Sequence, residues 1–205
     1  MLILGLDCAA KAASAAVFNT GTGSMVFAGS TDAMKTHSEA LLPHVESVLK
    51  EAKLTLNDID AFAVTNGPGS FTGVRIAVSA VKGMAFALNK PVYAVSTLHA
   101  LAYNLVGRDC IANCVMDARR GQFYNALFRV SGEGIERLTE DRAISAEELE
   151  AELQNYANEE VITVDEVSAV SVCRAALEYM PISAKQLMPF YLRMPQAERE
   201  RIEKL

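Results

Sequence analysis

Apolar and polar residues change period several times along the first hundred positions, and each change predicts an element. Residues 2–7 form an unbroken apolar run closed by Asp7, and residues 12–18 and 25–29 read as further strands. Asn19-Thr20-Gly21-Thr22-Gly23 supplies turn chemistry between the last two, so an antiparallel meander of three strands is expected. Over 38–53 the period becomes helical. Leu41, Leu42, Val45, Val48, Leu49 and Ala52 recur on one side, while Glu39, Glu46, Lys50 and Lys53 take the other. Pro43 removes one backbone donor, so this helix should begin late or bend there. Residues 61–65 predict a strand that runs into Asn66-Gly67-Pro68-Gly69-Ser70, after which 71–88 is helical. A strand at 91–95 and a helix capped by Ser96-Thr97 and running to about Asn104 close the first half.

The pattern then restarts. Residues 111–117 and 122–130 predict a hairpin around Ala118-Arg119-Arg120-Gly121, with an edge strand at 135–138. A helix at 146–156, a strand at 161–164 and a helix at 169–179 follow. The two layouts match closely enough to imply a duplicated α/β unit divided at 1–97 and 98–205. The tail from Pro189 mixes Arg193, Arg199, Arg201 and Lys204 with Glu198, Glu200 and Glu203, and reads as a solvated terminal segment.

Composition narrows the function. With 51% apolar and 21% charged residues in 205, the chain can bury a core and is not a disordered segment. Its net charge of −6 argues against unaided binding of nucleic acid. Cys8, Cys110, Cys114 and Cys173 suit reduced thiols in the cytoplasm. The N-terminal run lacks the basic flank of a signal peptide. The stretch 76–88 is interrupted by Lys82 and falls short of the roughly 20 residues of a membrane span, so a soluble protein is expected.

Asn66-Gly67-Pro68-Gly69-Ser70-Phe71-Thr72-Gly73-Val74-Arg75-Ile76, followed by Pro91-Val92 and Val95-Ser96-Thr97-Leu98, resembles the TsaB (YeaZ) family. Asp117-Ala118-Arg119-Arg120-Gly121-Gln122-Phe123-Tyr124 is similar to that family's second-half hairpin, and Phe190-Tyr191-Leu192-Arg193 to its C-terminal motif. The resemblance implies an α/β fold of two βββαβα-type halves, as in actin-like, sugar-kinase and Hsp70 ATPases. The second half is shortened relative to the family after Val164. It also implies a role in making threonylcarbamoyladenosine on tRNA, beside the catalytic subunit TsaD and the ATPase TsaE. In that role the chain supports and does not catalyse, and it meets tRNA only through the complex.

Actin-like ATPases open on an acidic residue and a Gly-Thr turn, where backbone donors approach a phosphate. Here the stretch is Asp7-Cys8-Ala9-Ala10-Lys11, in which methyl groups replace the hydroxyls. A strand-end Asp bonded to nearby backbone outweighs a nucleotide ligand. Asp7, Gly67, Gly69 and Asp117 are the candidate cofactor-binding residues of the competing reading, a nucleotide-dependent enzyme that works in the cleft between halves. The leading reading needs no cofactor of its own, with ATP or ADP held only in the complex. The glycine loop lacks Walker spacing and serves equally as a tight turn beneath a packed helix. His37 and His44 lie about 10 Å apart along one helix, too far to share an ion. Cys110 and Cys114 lie about 13 Å apart along a strand, and no G-x-S-x-G elbow occurs. Asp117, Arg119 and Arg120 fall where a ligand, a partner or only solvent could meet them.

The helix at 71–88 carries the strongest signal. Arg75, Ser79 and Lys82 share one narrow stripe, and nearly all the rest of its circumference is apolar. It is either buried on several sides or completes its burial against another chain, with Ala77, Ala80, Gly83 and Ala87 allowing close approach. The resemblance implies that this helix and 38–53 bundle with the partner subunit. Leu41, Val45, Val48, Ala77, Val78, Ala80, Val81 and Met84 are the expected contacts. A homodimer through the same helices is the expected alternative when TsaD is absent.

Overall fold

A computed structural model describes residues 1–29 and 36–193. Its first half runs β1 (Leu2–Asp7), β2 (Ser14–Asn19), β3 (Met25–Gly29), α1 (His37–Ala52), β4 (Ala61–Gly67), α2 (Phe71–Leu88) and β5 (Val92–Ser96). The strands form one sheet in the order β3-β2-β1-β4-β5, antiparallel within the meander and parallel from β1 to β4 to β5.

Alternation along β1 assigns the two faces of this sheet. Leu4 and Leu6 join Ala15, Val17, Phe62 and Val64 beneath the inner faces of α1 and α2. Ile3, with Ala16, Ala63 and Val95, turns the other way. That second face is covered by α5 (Ala169–Ala175), through Ala169, Val172 and Cys173. Gly5 makes this possible, because a Cβ there would collide with the Cys173 thiol and stand 2.9 Å from the Ala169 carbonyl oxygen. The Ala169 amide donates to Ser14 Oγ at 2.9 Å. A helix from the second half of the chain therefore completes the first half's sandwich, and a cut at 97/98 separates the sheets but not the layers.

The second half runs α3 (Thr97–Ala102), β6 (Arg108–Asp117), β7 (Gln122–Gly132), β8 (Gly134–Arg137), β9 (Arg142–Ser145), α4 (Ala146–Leu153), β10 (Val161–Val164) and α5. Its sheet order, β10-β6-β7-β8, repeats β4-β1-β2-β3 of the first. Among the described residues no strand stands where β5 stands in the first sheet. Leu98 and Leu101 of α3 pack with Ala112, Cys114 and Phe128, so one core runs through both halves. This duplicated βββαβα order is that of the actin-like ATPase fold.

Several sequence expectations need correction. β2 begins at Ser14, because residues 8–13 are spent on the turn from β1. α1 starts at His37 and continues through Pro43, held by the buried Leu41 and Val45 on either side of it. β9 was not expected. β7 is long enough to pair with β8 through residues 128–131 and with β9 through 122–125. α3, α4 and α5 are shorter than expected, since each closes in a 3-10 turn. Among the described residues α2 alone is long and apolar enough to cross a membrane by length and composition, and its inner side is packed on the sheet.

Candidate functional site

Ser70 opens α2 by accepting a hydrogen bond from the Gly73 amide, and Asn89 closes it in the left-handed conformation. α1 and α2 lie side by side on the first sheet. Of the eight expected partner contacts, Leu41, Val45, Val48, Ala77, Val78 and Val81 are no more than 3% exposed and belong to the core. They face the sheet, which is why their apolar period is so clean. Only Ala80 and Met84 are half-exposed, alongside Ile76. The outward surface is made instead by Ser79, Gly83, Phe86 and Ala87 of α2 and by Leu42 of α1. Phe86 is 65% exposed and Leu42 51%. Nothing lies within 4 Å of where a Cβ on Gly83 would sit. A mid-helix glycine costs about 1 kcal/mol relative to alanine, and among the described residues nothing packs into the space it leaves.

The other flank of α2 is covered by the chain's own C-terminal segment. Ile182 bridges Val92 at the edge of the first sheet, and Lys82 Nζ donates to the Leu187 carbonyl at 3.1 Å. The Phe190 amide then donates to the Asn66 carbonyl at 2.6 Å. Arg75 places its guanidinium 3.8 Å from the Phe71 ring centroid and donates from Nε to the Tyr191 hydroxyl at 2.8 Å. Arg193 crosses to the second half and donates to the Ala118 carbonyl at 3.2 Å. Residues 189–193 are therefore a docked strap and not a solvated tail. The aromatic pair in a charged stretch was the signal for this. The expected solvated residues beyond 193 lie outside the described residues.

Strap and hairpin border a half-open cavity of about 750 Å³ between the halves. Ala9–Lys11 line one wall, Gly69–Thr72 the second, Asp117–Arg119 with Phe123 and Tyr124 the third, and Phe190–Arg193 the fourth. Gly69 and Asp117 thus reach the cavity, and Asp7 and Gly67 do not. Gly67 (φ +124°) lies beneath the strap, where a Cβ would collide with the Phe190 carbonyl. Gly69 (φ +156°) is held 2.7 Å from the Ala9 carbonyl by the same measure. The glycine loop thus seats two neighbouring segments of the chain's own backbone.

Asp7 is fully buried behind this wall. Its Oδ1 accepts from Thr65 Oγ1 at 2.5 Å and from the Ala9 amide at 3.1 Å, while among the described residues Oδ2 has no hydrogen-bond partner. Burial pushes its pKa up to about 6, against the opposing pull of Thr65 and the neighbouring amides. Asp117, at the equivalent end of β6, is exposed and accepts from the Arg119 amide at 2.7 Å. His37 stands at the start of α1 with Nε2 3.2 Å from the Lys11 carbonyl, and His44 is half-buried on the same helix. Burial raises the thiol pKa of Cys8, Cys114 and Cys173, which leaves them unreactive. Among the described residues no three His, Cys, Asp or Glu side chains could hold a metal ion.

A polar cluster unforeseen in the sequence ties the halves together. Ser96 Oγ donates to Asp141 Oδ2 at 2.5 Å and accepts from the His99 amide, and His99 Nδ1 meets the Tyr179 hydroxyl at 2.9 Å. Burial lowers the His99 pKa to about 4, so the ring is neutral and stacks on Phe128.

The family profile of TsaD, tRNA N6-adenosine threonylcarbamoyltransferase, matches residues 30–186. The tRNA threonylcarbamoyladenosine biosynthesis protein TsaB of Escherichia coli (strain K12) is 34% identical over 166 residues, 80% of this chain and 71% of that protein. TsaB of Bacillus subtilis (strain 168) is 37% identical over 110 residues, 54% of this chain and 48% of that one. The solved structure of YeaZ from Pseudomonas aeruginosa superposes with a TM-score of 0.79 at 26% identity, covering 93% of this chain and 99% of that one.

Proposed function

The chain belongs to the TsaB family of tRNA threonylcarbamoyladenosine biosynthesis proteins, and from that membership we propose that it is a non-catalytic partner subunit. It docks the threonylcarbamoyltransferase TsaD on the outward face of α1 and α2, and the ATPase TsaE joins the assembly. Modification of the tRNA is carried out by the complex in the cytoplasm, and any ATP or ADP cofactor is held there and not by this chain alone.

What supports the reading is the outward face of α2. Ile76, Ala80, Met84, Phe86 and Ala87 leave an 18-residue helix apolar on the side away from its own sheet, with Gly83 open at the centre. An apolar helix face that the described residues leave uncovered gains free energy on contact, about 25 cal/mol for each Å² removed from water. The glycine lets a second helix approach closely. The test is co-purification of the full chain with TsaD, comparing wild type with Ala80→Glu and Gly83→Leu. Both variants should fold and lose TsaD; folded variants that retain it would refute the reading. Light scattering without TsaD distinguishes a homodimer on the same face from a monomer.

The second reading, a nucleotide-dependent enzyme of the actin-like fold, draws support from the cavity of about 750 Å³ reached by Gly69 and Asp117. Calorimetry with ATP and magnesium decides between them. Tight binding with turnover by the isolated chain would favour the enzyme.

A further inference from the structure

The hairpin tip between β6 and β7 runs against its residues' backbone preferences. Arg119, Arg120 and Gly121 succeed one another at φ +63°, +56° and +70°, a left-handed region that strains side chains longer than glycine. Both arginines are exposed. Among the described residues neither has a carboxylate partner, whereas Arg129, Arg137 and Arg142 of the same sheet are each paired with one. Arg193 of the strap reaches this turn and, among the described residues, also has no acidic partner. Lys11 lines the same cavity from the first half.

Among the described residues, the carboxylates lining the cavity against these four cations are Asp117, which is engaged by the Arg119 amide, and Asp165. A net positive spot thus survives in a chain whose overall charge is −6. The surfaces beside it are aromatic, Phe123 and Tyr124 from β7 and Phe190 and Tyr191 from the strap. Guanidinium groups bind phosphate oxygens, and aromatic faces stack on bases of any identity.

We propose that the Arg119–Arg120 tip, with Arg193 and the aromatic cleft wall, binds a nucleotide, the arginines holding its phosphate and the aromatic rings its base. Single-stranded RNA is the favoured source over a free mononucleotide. Arg119 and Arg193 line the cavity but Arg120 does not, so the cations extend beyond the volume that one nucleotide fills. This site is separate from the helix face that docks a partner. The isolated chain can test it, and its failure leaves the docking reading standing.

The measurement is fluorescence anisotropy of the full-length chain with a short labelled single-stranded RNA at low salt. AMP and polyglutamate serve as competitors. The informative variant is Arg119→Asn combined with Arg120→Gly, which removes both charges and supplies residues at ease in the left-handed turn. It should melt at a higher temperature than wild type and bind RNA roughly tenfold more weakly, with a salt slope shallower by about 0.7 for each phosphate that is no longer neutralised. Arg193→Gln should weaken binding in the same direction while leaving the left-handed residues of the turn unchanged, although it gives up the hydrogen bond to the Ala118 carbonyl. Displacement by AMP at equal phosphate would make one nucleotide sufficient, and displacement by RNA alone would make the strand the ligand. Both results uphold the phosphate site. Equal affinity in wild type and variants, equal displacement by polyglutamate, or no binding of either nucleotide ligand would overturn it.

Discussion

Replacing Asp7 by Asn should stabilise this protein at neutral pH, although Asp7 is buried in the core and hydrogen-bonded. The carboxyl pKa rises from 3.8 to about 6 on folding because burial penalises its charge. At about 1.4 kcal/mol for each tenfold change in proton affinity, the ionised form costs the fold about 3 kcal/mol above pH 6. The sign follows from proton counting: between pH 3.8 and 6 the folded chain holds the proton more tightly, so this cost is absent below that window and complete above it. Asparagine keeps the Oδ1 acceptor for Thr65 and the Ala9 amide. Its amide nitrogen takes the place of the unpartnered Oδ2 and gives back about 1 kcal/mol as an unsatisfied donor. The net gain at pH 7.5 is about 2 kcal/mol, or roughly 4–8 °C in melting temperature. Urea melts from pH 4 to 7.5 measure it. The wild-type curve alone is uninformative, because His99, neutral in the fold with a pKa near 4, loses stability as pH falls below its unfolded value of 6.5. The two slopes oppose each other. In Asp7→Asn the opposing Asp7 slope is gone, so the variant should lose stability steeply between pH 6.5 and 4 while wild type changes little. Parallel curves would show that Asp7 carries no charge penalty.

Further outcomes follow from the same contacts. Gly83→Ala should stabilise the isolated chain by about 1 kcal/mol in a urea melt, since the added methyl meets open space; a loss of stability would mean that the site is already filled. Gly67→Ala should cost about 2 kcal/mol or more and expose residues 187–193 to limited proteolysis, because the methyl displaces the Phe190 carbonyl. Wild-type protection would refute the strap's dependence on that glycine. Val78→Glu should lower stability by roughly 3–5 kcal/mol with or without TsaD, since its carboxylate would be buried unpaired against the sheet. It therefore reports on the core, whereas Ala80→Glu reports on the proposed docking face.

Particular residues show how far the sequence reached and where it stopped. The alternation of Leu4 and Leu6, and the helical recurrence of Leu41, Val45 and Val48, identified strand and helix from local periods, because burial on one face imposes that period. The same periods misled about docking. Six expected contact residues belong to the core, since a helix repeats on its sheet-facing side as regularly as on a partner-facing one. β9 escaped notice because four residues with one buried side chain, Ile144, carry too short a pattern to read.

Sequence alone determined the element types, the duplicated order, the acidic balance and the family, because these rest on neighbours within a few positions or on long motifs. Only the folded chain decided what those motifs touch. Gly67 meets Phe190 and Gly5 meets Cys173 across separations of 123 and 168 residues. Periodicity does not encode such approaches, since they depend on how α5 and the strap return to the first sheet. Side-chain volume and backbone geometry at those crossings, and not local propensity, determine which glycine is a seat, which apolar face is core and which arginines remain unpaired.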